Sequence, residues 1–271
     1  MNKFILVLFA FTYALTGSYA QTFTHDFQKK FNYGTQGFDH NVMSKTPDGG
    51  FVTVSTVKAV AGTSDQEDLI LYKLDGNYNV IWQSRYSTEI IDGKTFIATD
   101  VIQKANKGFA ICGMLVSTVE GMGGFLLQVK SNGAIESFKF YPYDPLASSS
   151  IIRVDRVLEH ADGFMMTGLA IDQTSQTRGI VIGANQDGNV LWSKHLFDMQ
   201  HNVGGVSNIN STLYDITPIK KDQYAVVGTA NGHPSPDADV LVTKINTDGL
   251  VLGNWLYERA GKVTGDGQKA Y

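Results

Sequence analysis

Asp187-Gly188-Asn189-Val190-Leu191-Trp192 decides the reading of this chain, because its turn returns three more times at nearly constant spacing. The equivalents are Asn77-Tyr78, Asn132-Gly133 and Asp248-Gly249, so the four turns lie 55, 55 and 61 residues apart. Three residues past the start of each turn stands a β-branched side chain: Val80, Ile135, Val190 and Val251. Roughly 25 residues upstream an aromatic opens an apolar run: Phe51, Phe109, Phe164 and Tyr224. Gly, Asn and Asp recur at the turns because tight hairpins need positive φ, which these residues tolerate.

Each unit reads as four strands. The first runs are 41–45, 100–104, 155–159 and 215–220, each followed by a turn such as Pro47-Asp48-Gly49-Gly50 or Asn106-Lys107-Gly108. The last unit has Lys221-Asp222-Gln223 there, which predicts a less glycine-like turn. Second strands (Phe51-Val52-Thr53-Val54, Phe164-Met165-Met166-Thr167, Tyr224-Ala225-Val226-Val227) and third strands (69–74, 125–129, 180–182, 240–245) are nearly continuous apolar runs. Strands buried on both faces look like this. Four residues after each anchor aromatic comes a small residue (Ser55, Gly113, Gly168, Gly228), the mark of a closely approaching backbone. The fourth strand carries Trp82, Phe138, Trp192 or Trp255, read as packing plugs between units in preference to sugar-stacking platforms.

The expected fold is therefore all-β: a β-propeller of about four four-stranded blades of 55–61 residues, spanning about 40–87, 97–141, 151–197 and 213–259. Residues 22–33 read as a lone fourth strand ahead of the first blade, and Gly265-Asp266-Gly267 resembles Gly37-Phe38-Asp39. Either the two ends complete a ring with a partial blade, or the chain is the front of a longer repeat protein.

Residues 1–20 carry Lys3, the apolar stretch 4–15 and Ser18-Tyr19-Ala20, the three-part pattern of a secretory signal peptide. The apolar core is short of the roughly 20 residues needed to span a bilayer. Residues 21–271 then form one propeller domain with no further membrane span. The expected location is secreted, extracellular or at the cell surface, the periplasm being the other compartment a leader allows. Net charge is −4 with no Lys/Arg cluster, which speaks against nucleic acid as a partner. Cys112 is the only cysteine and sits in an apolar strand, so it reads as a small buried hydrophobe.

Three constellations carry residue types capable of chemistry. His195 and His201 with Asp198 between them are metal-ligand types, but their spacing fits no compact site and the loop is Gly/Asn-rich. Asp65, Glu67 and Asp68, and separately Asp237 and Asp239, are acidic turns; the first group supplies enough oxygens for weak calcium, without the regular Asp-x-Asp-x-Asp-Gly loop. Asp100, Asp155 and Asp215, with Asn41 in the first unit, recur on the first strands as a ring of polar groups. Their recurrence in register suits a repeated structural hydrogen bond, since catalysis breaks symmetry. No nucleophile elbow or phosphate loop is present, and Asn210-Ser211-Thr212 has the form of a glycosylation sequon.

With turn, anchor and aromatic aligned, the units resemble a large, loosely defined group of secreted bacterial β-propeller repeats. Its pattern is Asp-Gly-Gly-Phe, then Lys-Leu-Asp, then Asn-Gly-Asn-Val-x-Trp. Here Asp48-Gly49-Gly50-Phe51, Lys73-Leu74-Asp75 and Asn79-Val80-Ile81-Trp82 carry it, and so do residues 187–192. Glu136 with Phe138, and Gly253, depart from it. The resemblance covers about residues 22–271 and implies export and a propeller, often within a larger surface protein, but no defined reaction. The turn at 187–192 also looks slightly like quinoprotein repeats, which need more blades and cofactor ligands.

The functional expectation is an exported, non-catalytic binding or scaffold module for a protein or glycan ligand, with no catalytic, cofactor or metal residues assigned. The alternative is a propeller enzyme, a glycan hydrolase or lyase, using the carboxylates of the inner strands. Amino-terminal sequencing of the exported chain is expected to begin at Gln21; a chain still starting at Met1 would refute cleavage of the leader.

Overall fold

The computed structural model describes residues 38–58, 67–86, 94–117, 121–142, 151–171, 176–196, 210–231 and 238–257. The leader, the lone strand at 22–33 and the tail beyond Tyr257 lie outside these. Every regular element among the described residues is a strand. Blade one is β1 (Phe38–Lys45), β2 (Phe51–Lys58), β3 (Glu67–Leu74) and β4 (Val80–Tyr86). Blade two is β5 (Lys94–Gln103), β6 (Phe109–Ser117), β7 (Gly121–Val129) and β8 (Ile135–Tyr141). Blade three is β9 (Ile151–His160), β10 (Gly163–Ile171), β11 (Thr177–Asn185) and β12 (Val190–His195). Blade four is β13 (Asn210–Lys220), β14 (Gln223–Asn231), β15 (Ala238–Asn246) and β16 (Val251–Tyr257). Each blade is an antiparallel meander, and one parallel bridge, Glu67 to Thr95, links the first two sheets. This is the blade architecture of a β-propeller.

Successive first strands run beside one another, β1 by β5, β5 by β9 and β9 by β13. Each sheet therefore has a rear face toward the preceding blade and a forward face toward the next. Val52, Val54, Leu69 and Leu71 on the forward face of blade one pack with Phe109, Ile111, Phe125 and Leu127 on the rear of blade two. Ala110, Cys112 and Leu126 of blade two meet Phe164, Met166, Ile180 and Ile182 of blade three. Met165 and Val181 of blade three meet Leu213, Tyr224, Val226, Leu241 and Ile245 of blade four. Cys112 is fully buried at the second of these interfaces, as its apolar neighbours suggested.

Burial on both faces holds for the second and third strands of blades one to three. Blade four departs from it. In β14 Tyr224, Val226, Gly228 and Ala230 are buried, whereas Ala225, Val227 and Thr229 are open or half-open; β15 alternates in the same way. Continuous apolarity in 240–245 thus describes a strand covered on one side only.

The repeated third hairpin is a turn closed by a left-handed residue, Tyr78, Gly133, Gly188 or Gly249, with φ between 60° and 84°. Its hydrogen bonds run from the Tyr78 N–H to the Asp75 carbonyl and back from the Asp75 N–H to the Asn79 carbonyl, and the other blades repeat the pair. A single left-handed residue followed by a register shift is a type I turn with a G1 bulge. The Asp75 and Asn185 carboxylate and amide oxygens each accept two backbone N–H groups across this turn, which is why Asx residues stand there. In the first hairpin of blade four the expectation of a less glycine-like turn fails. Asp222 takes φ 56°, the left-handed conformation itself, as Asp tolerates.

The small residue four after each anchor also has a local cause. First strands β5, β9 and β13 each carry a β-bulge opposite it, with Thr99, Asp155 and Tyr214 as the extra residues. A Cβ built on Gly113, Gly168 or Gly228 would run into the first-strand carbonyl of Ile97, Arg153 or Thr212. The approaching backbone belongs to the same blade. Blade one has Ser55 at this place, and its pairing passes from Asn41–Ser55 to Val42–Val54 without a bulge.

Fourth-strand aromatics divide by register. Trp82 and Trp192 project forward, against the turn glycines Gly133 and Gly249 of the next blade. Phe138, paired opposite Leu127, projects backward, stacks with Phe125 and meets Phe96 edge-on in the first interface. One residue of offset from the turn reverses the face, so Phe138 is not the equivalent of Trp82. Gly168→Ala is expected to cost about 1–3 kcal/mol in chemical denaturation, since the bulge must open to admit a methyl. Unchanged stability would show that the bulge does not require the glycine.

Candidate functional site

The candidate site is the row of polar side chains on the adjoining first strands. Register corrects one member of the ring expected there. Asp100 stands opposite Cys112 and Asp215 opposite Val227, each just past its bulge. The residue at that place in blade three is Arg156, opposite Thr167, while Asp155 is the bulged residue itself. Asn41 stands opposite Ser55, whose hydroxyl donates to it at 2.6 Å. The first hairpin of blade three is one residue shorter, Glu159 pairing with Phe164 where Gln103 pairs with Phe109 and Pro218 with Tyr224, so counting back from the anchor aromatic put Asp155 one place out.

Arg156 turns this row into a ladder. Its Nη1 donates to Asp100 Oδ1 at 3.1 Å and its Nε donates to Asp215 Oδ1 at 2.9 Å. The Val157 N–H donates to the other Asp100 oxygen at 3.1 Å. One guanidinium on blade three thus joins acids of blades two and four. Asp100 is 4% exposed; burial pushes its carboxyl above the usual range, and the Val157 N–H and the Arg156 charge only partly offset this. Burial disfavours the Arg156 charge, but Asp100 and Asp215 outweigh it and hold the guanidinium above its usual value. Asp155 is gripped by Arg153 through Nε at 2.7 Å and Nη2 at 2.9 Å, and burial still pushes its carboxyl up. A general acid or base has to reach a proton on a substrate. Asp100 and Asp155 instead have both oxygens engaged by the protein.

Other sequence candidates separate. Asp68 lies inside β3, not in a loop, and is buried in an ion pair with Arg85, whose Nε donates at 2.6 Å. Asp239 lies buried inside β15. Asp65 and Asp237 are outside the described residues. His195 ends β12, paired with Ile180, while Asp198 and His201 are outside the described residues. Among the described residues no three His, Cys, Asp or Glu side chains gather where they could hold a metal ion. The sequon asparagine, Asn210, accepts the Thr177 N–H at 2.8 Å.

A second series escaped sequence reading. Tyr86 and Tyr141 each lie eight residues past the left-handed turn residue of their own blade. Their hydroxyls donate to the turn carbonyls of the next blade, Gly133 and Gly188, both at 2.8 Å. Equal spacing from the turn was the available signal. Comparison with protein-family models finds no match to the chain, and comparison with curated proteins finds none either.

Near the first hairpin, Lys73 is buried with its Nζ 2.9 Å from the Thr46 hydroxyl and 3.0 Å from Asp48 Oδ1. The Thr46 hydroxyl, Lys73 and the Gly50 N–H bring the Asp48 carboxyl from 3.8 down to about 2. An acid held low when folded contributes stability above its unfolded pKa and loses it as pH falls toward the folded one. Asp48→Asn is accordingly expected to flatten the loss of thermal stability between about pH 4 and 2. An identical acid limb in variant and parent would show that the Lys73 contact contributes nothing.

Proposed function

We propose that the chain is an exported, non-catalytic propeller that serves as a binding or scaffold module at the cell surface or outside the cell. The observation carrying this reading is the Asp100–Arg156–Asp215 ladder, which spends the first-strand charges on joining blades. Catalytic carboxylates work as a pair whose environments push their pKa values apart around a substrate. Here burial pushes Asp100 and Asp155 in the same direction, and each already grips an arginine. The leader at residues 1–20 and the resemblance to secreted bacterial propeller repeats support export, and a protein or glycan is the class of ligand this reading expects.

Mature protein incubated with a panel of bacterial and plant polysaccharides is expected to release no reducing ends and no unsaturated sugars. Asp100→Asn and Asp215→Asn are expected to lower the melting temperature. Turnover that Asp215→Asn abolishes while the fold survives would overturn the non-catalytic reading in favour of the glycan enzyme.

A further inference from the structure

The forward face of blade four is built like the forward faces that other blades bury, yet among the described residues nothing covers it. Register places Ala225, Val227, Val240, Val242, Trp255 and Tyr257 on it, together with Asp215 and Lys244, and the bulged Tyr214 reaches it with its hydroxyl 3.3 Å from that of Thr229. Tyr214, Val227, Val240 and Tyr257 are among the exposed large hydrophobic residues of the molecule. Contiguous apolar surface of this kind marks an interface.

Two equivalences show that the face is made for another sheet. Tyr257 lies eight residues past Gly249, the place of Tyr86 and Tyr141 in their blades. Those two are 3% and 7% exposed, whereas Tyr257 is 58% exposed. Trp255 reaches back over Gly253, which stands four residues past the turn where Trp82 and Trp192 stand in theirs. So blade four carries both forward-docking aromatics.

The rear face of blade one is a poor acceptor. Thr53, Ser55, Ile70, Tyr72 and Leu74 on it are already buried. Its turn has Tyr78 where the turns that receive a neighbour's aromatic have glycine, and the Tyr78 ring is stacked on Phe51 at 4.6 Å. We infer that the forward face of blade four is a self-association surface, covered by the same face of a second copy of this chain. Most closed dimers are isologous, with one patch facing itself. A twofold axis along the strands sets β13 of one copy over β16 of the other, and Tyr257 then meets the hydroxyls of Thr212 and Tyr214 in the second copy. Four strands at about 4.8 Å and roughly seven residues at about 3.3 Å give a face on the order of 450 Å². Two such faces approach the ~1,000 Å² at which specific but weak interfaces begin.

Sedimentation equilibrium of the mature chain over about 1–200 µM is expected to show a monomer–dimer equilibrium, as this modest area implies. Val227→Lys and Val240→Lys each place a charge in the interface and are expected to weaken the dimer at least ~10-fold while leaving the β spectrum and melting temperature unchanged. Leu191→Lys, on an exposed position of β12, is expected to leave the dimer constant unaltered. A monomer throughout the range overturns the inference. So does a dimer insensitive to both blade-four variants. Oligomers that grow without limit would also overturn it, since they require a head-to-tail contact. None of these outcomes depends on whether the protein is catalytic.

Discussion

A four-stranded sheet has two faces, and the stability of this protein depends on covering both. No blade carries a core of its own. Phe109 and Phe125 are fully buried because Val52, Val54 and Leu71 of the preceding blade lie on them. Phe164 and Ile182 are buried by Ala110, Cys112 and Leu126 in the same way. At roughly 25 cal/mol per Å² of apolar area removed from water, these interfaces are the main favourable term. Each blade is stable only as a neighbour, as in other repeat proteins whose energetics run along one dimension.

Polar contacts then fix how the blades meet. Arg156 spans three first strands, Tyr86 and Tyr141 bond to the next turn, and the Thr99 hydroxyl donates to the Val154 carbonyl at 2.7 Å. Buried Lys104 is held by Gln128 at 2.9 Å and by Glu136, and the Gln128 amide donates to the Gln186 carbonyl of blade three at 2.8 Å. Losing one partner would leave a buried charge or hydroxyl unsatisfied, which costs more than the bond itself contributes. Hydrophobic faces set that the sheets stack; these bonds set their registration.

The repeats are not copies. Leu196 takes the tyrosine position in blade three, so its contact with blade four is apolar where the two earlier ones end in a hydroxyl. Ser55 replaces the bulge glycine, the pairing opposite it is regular, and the register shift of blade one falls between Phe38 and His40 instead. Phe138 faces backward because it stands one residue off the tryptophan position. Each departure in sequence has a local structural consequence, and the strand count survives all of them.

Strand order, turn positions and the four-unit architecture were determined by the sequence alone, because they follow from local rules. Glycine and Asx residues punctuate the chain, and apolar runs between them are too short and too β-branched for helices. The buried state of Cys112 was legible for the same reason. Three things needed the tertiary structure. The first hairpin of blade three is one residue shorter than those of blades two and four, which only strand pairing reveals, so Arg156, and not Asp155, completes the ladder with Asp100 and Asp215. The open face of blade four was hidden because Val240-Leu241-Val242 is as apolar as strands buried on both sides, and composition does not say whether a neighbour is present. The bonds from Tyr86 and Tyr141 join residues 47 apart in sequence, a distance at which only the stacking of whole sheets decides what meets.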